Sequence, residues 1–181
     1  FFHSASSRTA GLFSFDLNKQ YSITKFITIV LMFIGASPAS TGGGIKTVSF
    51  VVLLSVMGNT LCGKEDAILF GRKINKTIVY RSFAISTAFA IFITMGTLMI
   101  SMLEAQKPIS STDILYEVVS AISTTGLSTG ITRLLSNFSK CLLMIFMFVG
   151  RVGPISLILA IIAKKNGDKY KTLPEGKLII G

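Results

Sequence analysis

Acidic residues and histidine are scarce in this chain, which carries eight Asp and Glu against 18 Lys and Arg, and a single histidine, His3. With one His and no paired carboxylates in a shared segment, there is no acid–base couple, no metal-ligand spacing and no nucleophile elbow, so the sequence does not read as an enzyme. A lone histidine near a terminus is given no role. Cysteine is limited to Cys62 and Cys141, both in or beside apolar stretches and without metal or redox spacing. They read as lipid-buried or core thiols, and no disulfide is expected. The first residues are polar and lack a basic stretch followed by an apolar core, which argues against a signal peptide. The first residue is not Met, which suggests a fragment.

Charge is sparse altogether, at 14% of residues against 50% hydrophobic, and it clusters between long apolar stretches. The net charge of +10 would suit nucleic acid if the basic residues formed a stripe with interleaved aromatics, but they flank apolar segments instead. Membrane topology accounts for them. Lys64, Arg72, Lys73 and Lys76 lie between two apolar stretches, and Lys164, Lys165, Lys169, Lys171 and Lys177 follow the last. The positive-inside rule puts both segments, 63–76 and 164–181, in the cytoplasm.

From Ser82 to Leu103 the chain carries no charge; as a helix this stretch rises roughly 33 Å, enough to cross a hydrocarbon core of about 30 Å. Cys141 to Ala163 has the same reach, with Arg151 in its middle. Phe26 to Met57 is too long for one span. It is interrupted by Gly35, Ala36, Ser37, Pro38, Ala39, Ser40, Thr41, Gly42, Gly43 and Gly44, a composition that helix and strand both resist.

Two parts of the chain match at a constant offset. Thr9-Ala10-Gly11-Leu12 aligns with Thr124-Thr125-Gly126-Leu127, and Leu31-Met32-Phe33-Ile34-Gly35 with Phe146-Met147-Phe148-Val149-Gly150; the separation is 115 in both cases (126 − 11 and 150 − 35), and Lys25 falls on Lys140. Each unit reads as a Ser/Thr/Gly loop, a short polar stretch, a Lys and a membrane segment. The second unit also includes what precedes its loop. After the span 77–103, Ser110-Ser111-Thr112-Asp113 supplies capping side chains for a helix over 112–122. That helix is too short to cross, and is expected to enter from outside and hand over to a loop within the membrane. Carbonyls of a non-helical loop at that depth are tolerated only beside protein or a water-filled cavity, and a cation satisfies them. A Ser/Thr/Gly loop met once would be read as a plain connection. Its recurrence beside a half-helix and a matching span argues otherwise.

These motifs, with Arg8-Thr9-Ala10-Gly11, the run Gly35 to Thr47 including Ile45 and Lys46, Phe70-Gly71-Arg72-Lys73-Ile74, Thr124 to Gly130, Phe148-Val149-Gly150-Arg151-Val152-Gly153-Pro154 and Pro174-Glu175-Gly176-Lys177, resemble the Trk/Ktr/HKT potassium transporter superfamily, in particular a Ktr-type membrane subunit, across essentially the whole chain. The resemblance implies an all-α integral membrane protein of four membrane–pore–membrane repeats, with re-entrant pore helices and filter loops around a central pore. It assigns residues 1–62 to the third repeat from its filter onward and 77–163 to the fourth. Filter positions are then Arg8, Thr9, Ala10 and Gly11, and Ser123, Thr124, Thr125 and Gly126, which would hold potassium through backbone carbonyls. Two such loops make half of a ring.

The resemblance further implies that residues 35–47 form an intramembrane gate loop, with Gly35, Ala36, Ser37, Pro38, Ser40, Thr41, Gly42, Gly43, Gly44 and Lys46 as gate residues. A simple helix kink needs fewer such residues. Arg151 would lie beneath the filter, where it is expected to hold the loop and repel cations, because a charge in mid-span usually faces a cavity or a partner. Glu117 either binds filter amides as a support or faces the outer vestibule and concentrates cations. Lys25 and Lys140 are expected to snorkel at the outer ends of spans. The family implies a homodimer on a cytoplasmic ring of nucleotide-binding regulatory subunits, potassium as the substrate, and no cofactor. Whether sodium is coupled to uptake or activates it stays open. Gly42-Gly43-Gly44-Ile45-Lys46-Thr47 lacks the spacing of a P-loop, so nucleotide control would come from the partner. The competing readings are a secondary cation transporter with broken helices and a non-conducting membrane scaffold.

Overall fold

The computed structural model describes residues 2–13, 17, 20–37, 42–63, 68–69 and 72–153. The expected gate residues Pro38, Ser40 and Thr41, the tail 164–181 and the end of the last expected span lie outside them. In chain order the elements are α1 (Phe2–Ser6), α2 (Ser22–Ile34), α3 (Thr47–Leu61), β1 (Ile68–Leu69), β2 (Arg72–Lys73), α4 (Lys76–Leu103), α5 (Ser111–Ile122), a 3-10 turn (Ile131–Arg133) and α6 (Asn137–Val152). Among the described residues the one strand pairing is a ladder of two residues per strand, Ile68 opposite Lys73 and Leu69 opposite Arg72. It sits in the basic linker and is tied to α3 by the Asn59 amide, which donates to the Ile68 carbonyl at 2.9 Å.

Helix α4 is a candidate membrane span of 28 residues, about 42 Å long at 1.5 Å per residue. Asn75 caps its start by accepting from the Thr77 amide at 3.0 Å. Its sides present Phe83, Ile91, Met95, Leu98 and Met102 outward, all more than half exposed. Water does not tolerate so continuous an apolar face; lipid does.

Short α5 is buried along its length, with Ile114, Tyr116, Val118, Val119 and Ile122 at 3% exposure or less. Helices α2, α4 and α6 pack around it. Lipid removes most of the hydrophobic driving force between helices, so close van der Waals packing must hold α5 in place. Gly150 of α6 makes this visible, because a Cβ there would run into the Ile122 carbonyl. Where the sequence suggested capping by the side chains of 110–113, Ser110 is the N-cap residue without a side-chain cap bond, and its hydroxyl pairs with that of Thr112 at 2.8 Å instead.

The C-terminal end of α4 and the N-terminal end of α6 are joined through Glu104. This buried carboxylate accepts from the Ser136 amide at 2.8 Å and the Ser139 hydroxyl at 2.6 Å, and forms an ion pair with the Lys107 ammonium at 2.7 Å. Lys107, and then the two serines, hold its pKa down at about 2.

Candidate functional site: two Thr-x-Gly loops and a returning loop

Helix α1 leads into one Thr-x-Gly loop and α5 into the other. Thr9 (φ 69°) and Thr124 (φ 52°) are the described non-glycine residues with positive φ, and Gly11 (φ 67°) and Gly126 (φ 86°) follow them two positions on. A β-branched residue in this region is a genuine outlier, costing on the order of 1–2 kcal/mol, and it persists only where its surroundings over-determine it. Backbone bonds contribute, from Gly11 N to the Ser6 carbonyl at 3.2 Å and from Thr125 N to the Ser120 carbonyl at 2.9 Å. The Ser6 hydroxyl also donates to the Leu12 carbonyl. The loops meet each other, since a Cβ on Gly11 would collide with the Thr125 carbonyl and one on Gly126 would lie 3.9 Å from Gly11.

Behind Gly126, the Glu117 carboxylate accepts from the Ser128 hydroxyl at 2.5 Å and the Thr129 amide at 3.2 Å. The Ser123 and Thr125 hydroxyls are buried and find no hydrogen-bond partner among the described residues. Arg8 is exposed, and so is Ala10. Among the described residues no three His, Cys, Asp or Glu side chains are grouped to hold a metal ion, which leaves backbone and hydroxyl oxygens as the donors these loops offer.

Residues 42–45, which follow α2 in the chain, lie against the two loops. Gly35 ends α2 with φ 65°, and Ile45 N donates to the Phe33 carbonyl at 3.2 Å, bringing the returning chain alongside. Gly43 N donates to Thr124 Oγ1 at 3.0 Å. A Cβ on Gly42 would sit 2.6 Å from Thr9 Oγ1, and one on Gly43 would sit 2.8 Å from Thr124 Oγ1. Neighbouring glycines thus touch the two matched threonines. Lys46 Nζ donates to the Gly42 carbonyl at 2.9 Å, while Ala36 is buried and Ser37 exposed. Arg151 lines a cavity of about 700 Å³ with Glu117, Thr124, Gly126 and Lys140.

Lys25 departs from expectation. It does not snorkel outward but is 8% exposed, its ammonium 2.7 Å from the Asp113 carboxylate in the first turn of α5. A lysine early in an apolar helix has the same sequence signature whether it faces headgroups or a neighbouring helix. Nor is His3 idle, because its Nε2 lies 3.1 Å from Thr28 Oγ1 and 3.2 Å from the Gln20 amide nitrogen. No signal in the sequence pointed to either contact.

Comparison with known proteins follows the same pattern along the whole chain. It is 38% identical over 181 residues to Ktr system potassium uptake protein D of Bacillus subtilis (strain 168), covering 99% of this chain and 39% of that protein. It is 37% identical over 157 residues to Ktr system potassium uptake protein B of Vibrio alginolyticus, covering 87% of this chain and 34% of the relative. A third similar protein, potassium/sodium uptake protein NtpJ of Enterococcus hirae, is 33% identical and is covered over 41% of its length. The chain therefore spans between 34% and 41% of the length of these three curated relatives. These relatives are transporters and not enzymes. The family model described as TrkH, cation transport protein, matches residues 1–173, and the chain belongs to this family of membrane cation transporters.

Proposed function

We propose that the protein of which this chain is part takes up potassium across the cell membrane through a carbonyl-lined filter, and that residues 35–47 gate it from below. The observation that carries this reading is the pair of Thr-x-Gly loops with matching left-handed residues, both in contact with the Gly42-Gly43 segment. In a filter of this kind, rings of backbone oxygens replace the ion's hydration shell. Thr9 to Gly11 and Ser123 to Gly126 contribute two sides of a four-sided ring, residues 1–62 and 77–163 being the third and fourth repeats. The α5 dipole turns its carbonyl end toward the ion path, and Glu117 acts as a support that fixes the segment after Gly126.

Lys46 and Arg151 belong to the gate, Lys46 by holding the Gly42 carbonyl and Arg151 by presenting a fixed positive charge in the cavity below Thr124. The protein is a multi-pass homodimer with segments 63–76 and 164–181 in the cytoplasm, where they meet a ring of nucleotide-binding regulatory subunits. Support for such a partner comes from relatives named as members of a Ktr system. Sodium acts as a coupled or activating ion, a role suggested by the potassium/sodium name of one relative.

The test uses the complete subunit in cells lacking potassium uptake, with rubidium and sodium influx measured side by side. Gly126→Ser is expected to lower rubidium influx relative to sodium, because a side chain at φ 86° forces the loop to reorient its carbonyls. An unchanged rubidium-to-sodium ratio would remove the filter assignment.

A further inference from the structure

His3, Gln20 and Thr28 lie 115 positions before Val118, Leu135 and Leu143. In the later unit those three are buried at 4% exposure or less and belong to one apolar cluster, which packs α5 against α6. In the earlier unit the same three places carry side chains that hydrogen-bond, the His3 ring nitrogen lying 3.1 Å from the Thr28 hydroxyl and 3.2 Å from the Gln20 amide. The surroundings differ as well. Helix α5 buries Ile114, Val118, Val119 and Ile122 and is met closely at its end by Gly150, whereas Ser6 is the one buried residue among those described in α1. Apolar contact within this chain therefore does little to fix α1.

We propose that His3 is a positioning residue for the loop Thr9 to Gly11: its imidazole, joined to Gln20 and Thr28, sets the place and turn of α1 and, through α1, the carbonyls of that loop. The proposal rests on the reading of the loops as a potassium filter. The path is short. Ser7 N donates to the His3 carbonyl at 3.0 Å, and Ala10 N and Gly11 N both donate to the Ser6 carbonyl at 3.2 Å, so the loop hangs from the last turn of the helix that carries the imidazole. A hydrogen bond is directional, and where water is scarce its donor and acceptor have little else to bond. An apolar contact has no direction, and holds two helices together without fixing the rotation of one about its axis. The close approach at Gly150 orients α5, and the His3 bridge does so for α1.

The experiment uses the complete subunit, with rubidium uptake measured in cells lacking other potassium uptake and amide hydrogen exchange measured on the purified protein. His3→Val is expected to raise the rubidium KM about threefold at an unchanged maximal rate, since losing one interhelical hydrogen bond lowers the population of the ion-competent loop by about that factor. The same change is expected to speed exchange of a peptide containing the Ala10 and Gly11 amides by a similar factor. His3→Gln, whose amide can bridge the same two partners, is expected to bring both values back. The triple variant His3→Val, Gln20→Leu, Thr28→Leu installs the later unit's trio. It is expected to melt at the parent's temperature, because replacing all partners by apolar groups is close to neutral, yet to keep the raised KM and the faster exchange. Parent-like exchange in His3→Val, no recovery in His3→Gln, or a triple variant that exchanges as slowly as the parent would overturn the proposal. If His3→Val fails to assemble, the triple variant set against the parent carries the same test. Faster exchange with an unchanged rubidium KM would mean that His3 positions a loop that ions do not read, which counts against the filter assignment and not against the positioning.

Discussion

Residues 2–37 and 117–152 run in step for most of their length and then part. Helices α2 and α6 begin at Ser22 and Asn137, 115 positions apart, each after an extended N-cap residue, and the positive-φ residues of the preceding loops keep the same separation. At their C-terminal ends Gly35 and Gly150 occupy matching positions, yet Gly35 terminates α2 while α6 passes through Gly150 to Val152. Both glycines allow a backbone to come close, and the difference lies in which backbone. A Cβ on Gly35 would lie 2.7 Å from the Gly43 carbonyl and 2.8 Å from that of Ile45, both in the returning chain, whereas at Gly150 the approaching group is the end of α5. One sequence landmark thus serves a broken helix in one place and a continuous one in the other. Its tertiary neighbour decides.

The comparison can be broken most forcefully at Lys25. Lys25→Met strands the Asp113 carboxylate, and removing one member of a buried pair costs about 3 kcal/mol or more. Denaturation of the purified complete subunit should register that loss, and Lys25→Met with Asp113→Leu should recover much of it. A single variant as stable as the parent would mean that the pair is not what docks α2 on α5. Next in size is Gly150→Ala, in which the methyl meets the Ile122 carbonyl and overpacking costs about 2 kcal/mol, read as a lower melting temperature.

A pH titration sharpens the comparison at the N-terminal end of α6, which is anchored by Glu104. Because the folded state holds this carboxylate at about 2 against an ordinary value of 4.5, its contribution to stability is complete above the ordinary value and is lost as pH falls through the folded one. Glu104→Gln should therefore flatten the acid limb of the stability profile between those values. The smallest effect is expected at the matching cap positions. Ser136 caps α6 by accepting from the Ser139 amide, whereas Tyr21 makes no side-chain cap for α2. Tyr21→Ser should stabilise the subunit by about 0.5 kcal/mol, measured in the same denaturation series.

Much of this organisation is legible in the residues. The expected span 77–103 and short helix 112–122 differ from α4 and α5 by a single residue at their starts, because charge-free length and apolar runs are local signals, even though the expected side-chain cap at Ser110 does not form. The positive φ of Gly11 and Gly126 is marked by residue type, whereas the left-handed Thr9 and Thr124 carry no such signal. What stayed hidden depends on distance in the chain. Lys25 and Asp113 are 88 residues apart, and neither residue's neighbours name the other. The contact of Gly43 with Thr124, 81 residues on, is equally invisible in composition, which marks residues 35–44 as irregular without saying what they touch.

That last contact has a thermodynamic side. Thr124 is held in a costly left-handed conformation, and its hydroxyl oxygen accepts the Gly43 amide proton. Withdrawal of the returning loop therefore removes a restraint on the strained residue, and relaxation of that residue loosens the returning loop by the same free energy, because linkage is reciprocal. The two loops act as splints for each other, so that neither can be assigned a stability of its own while the bond between them is made.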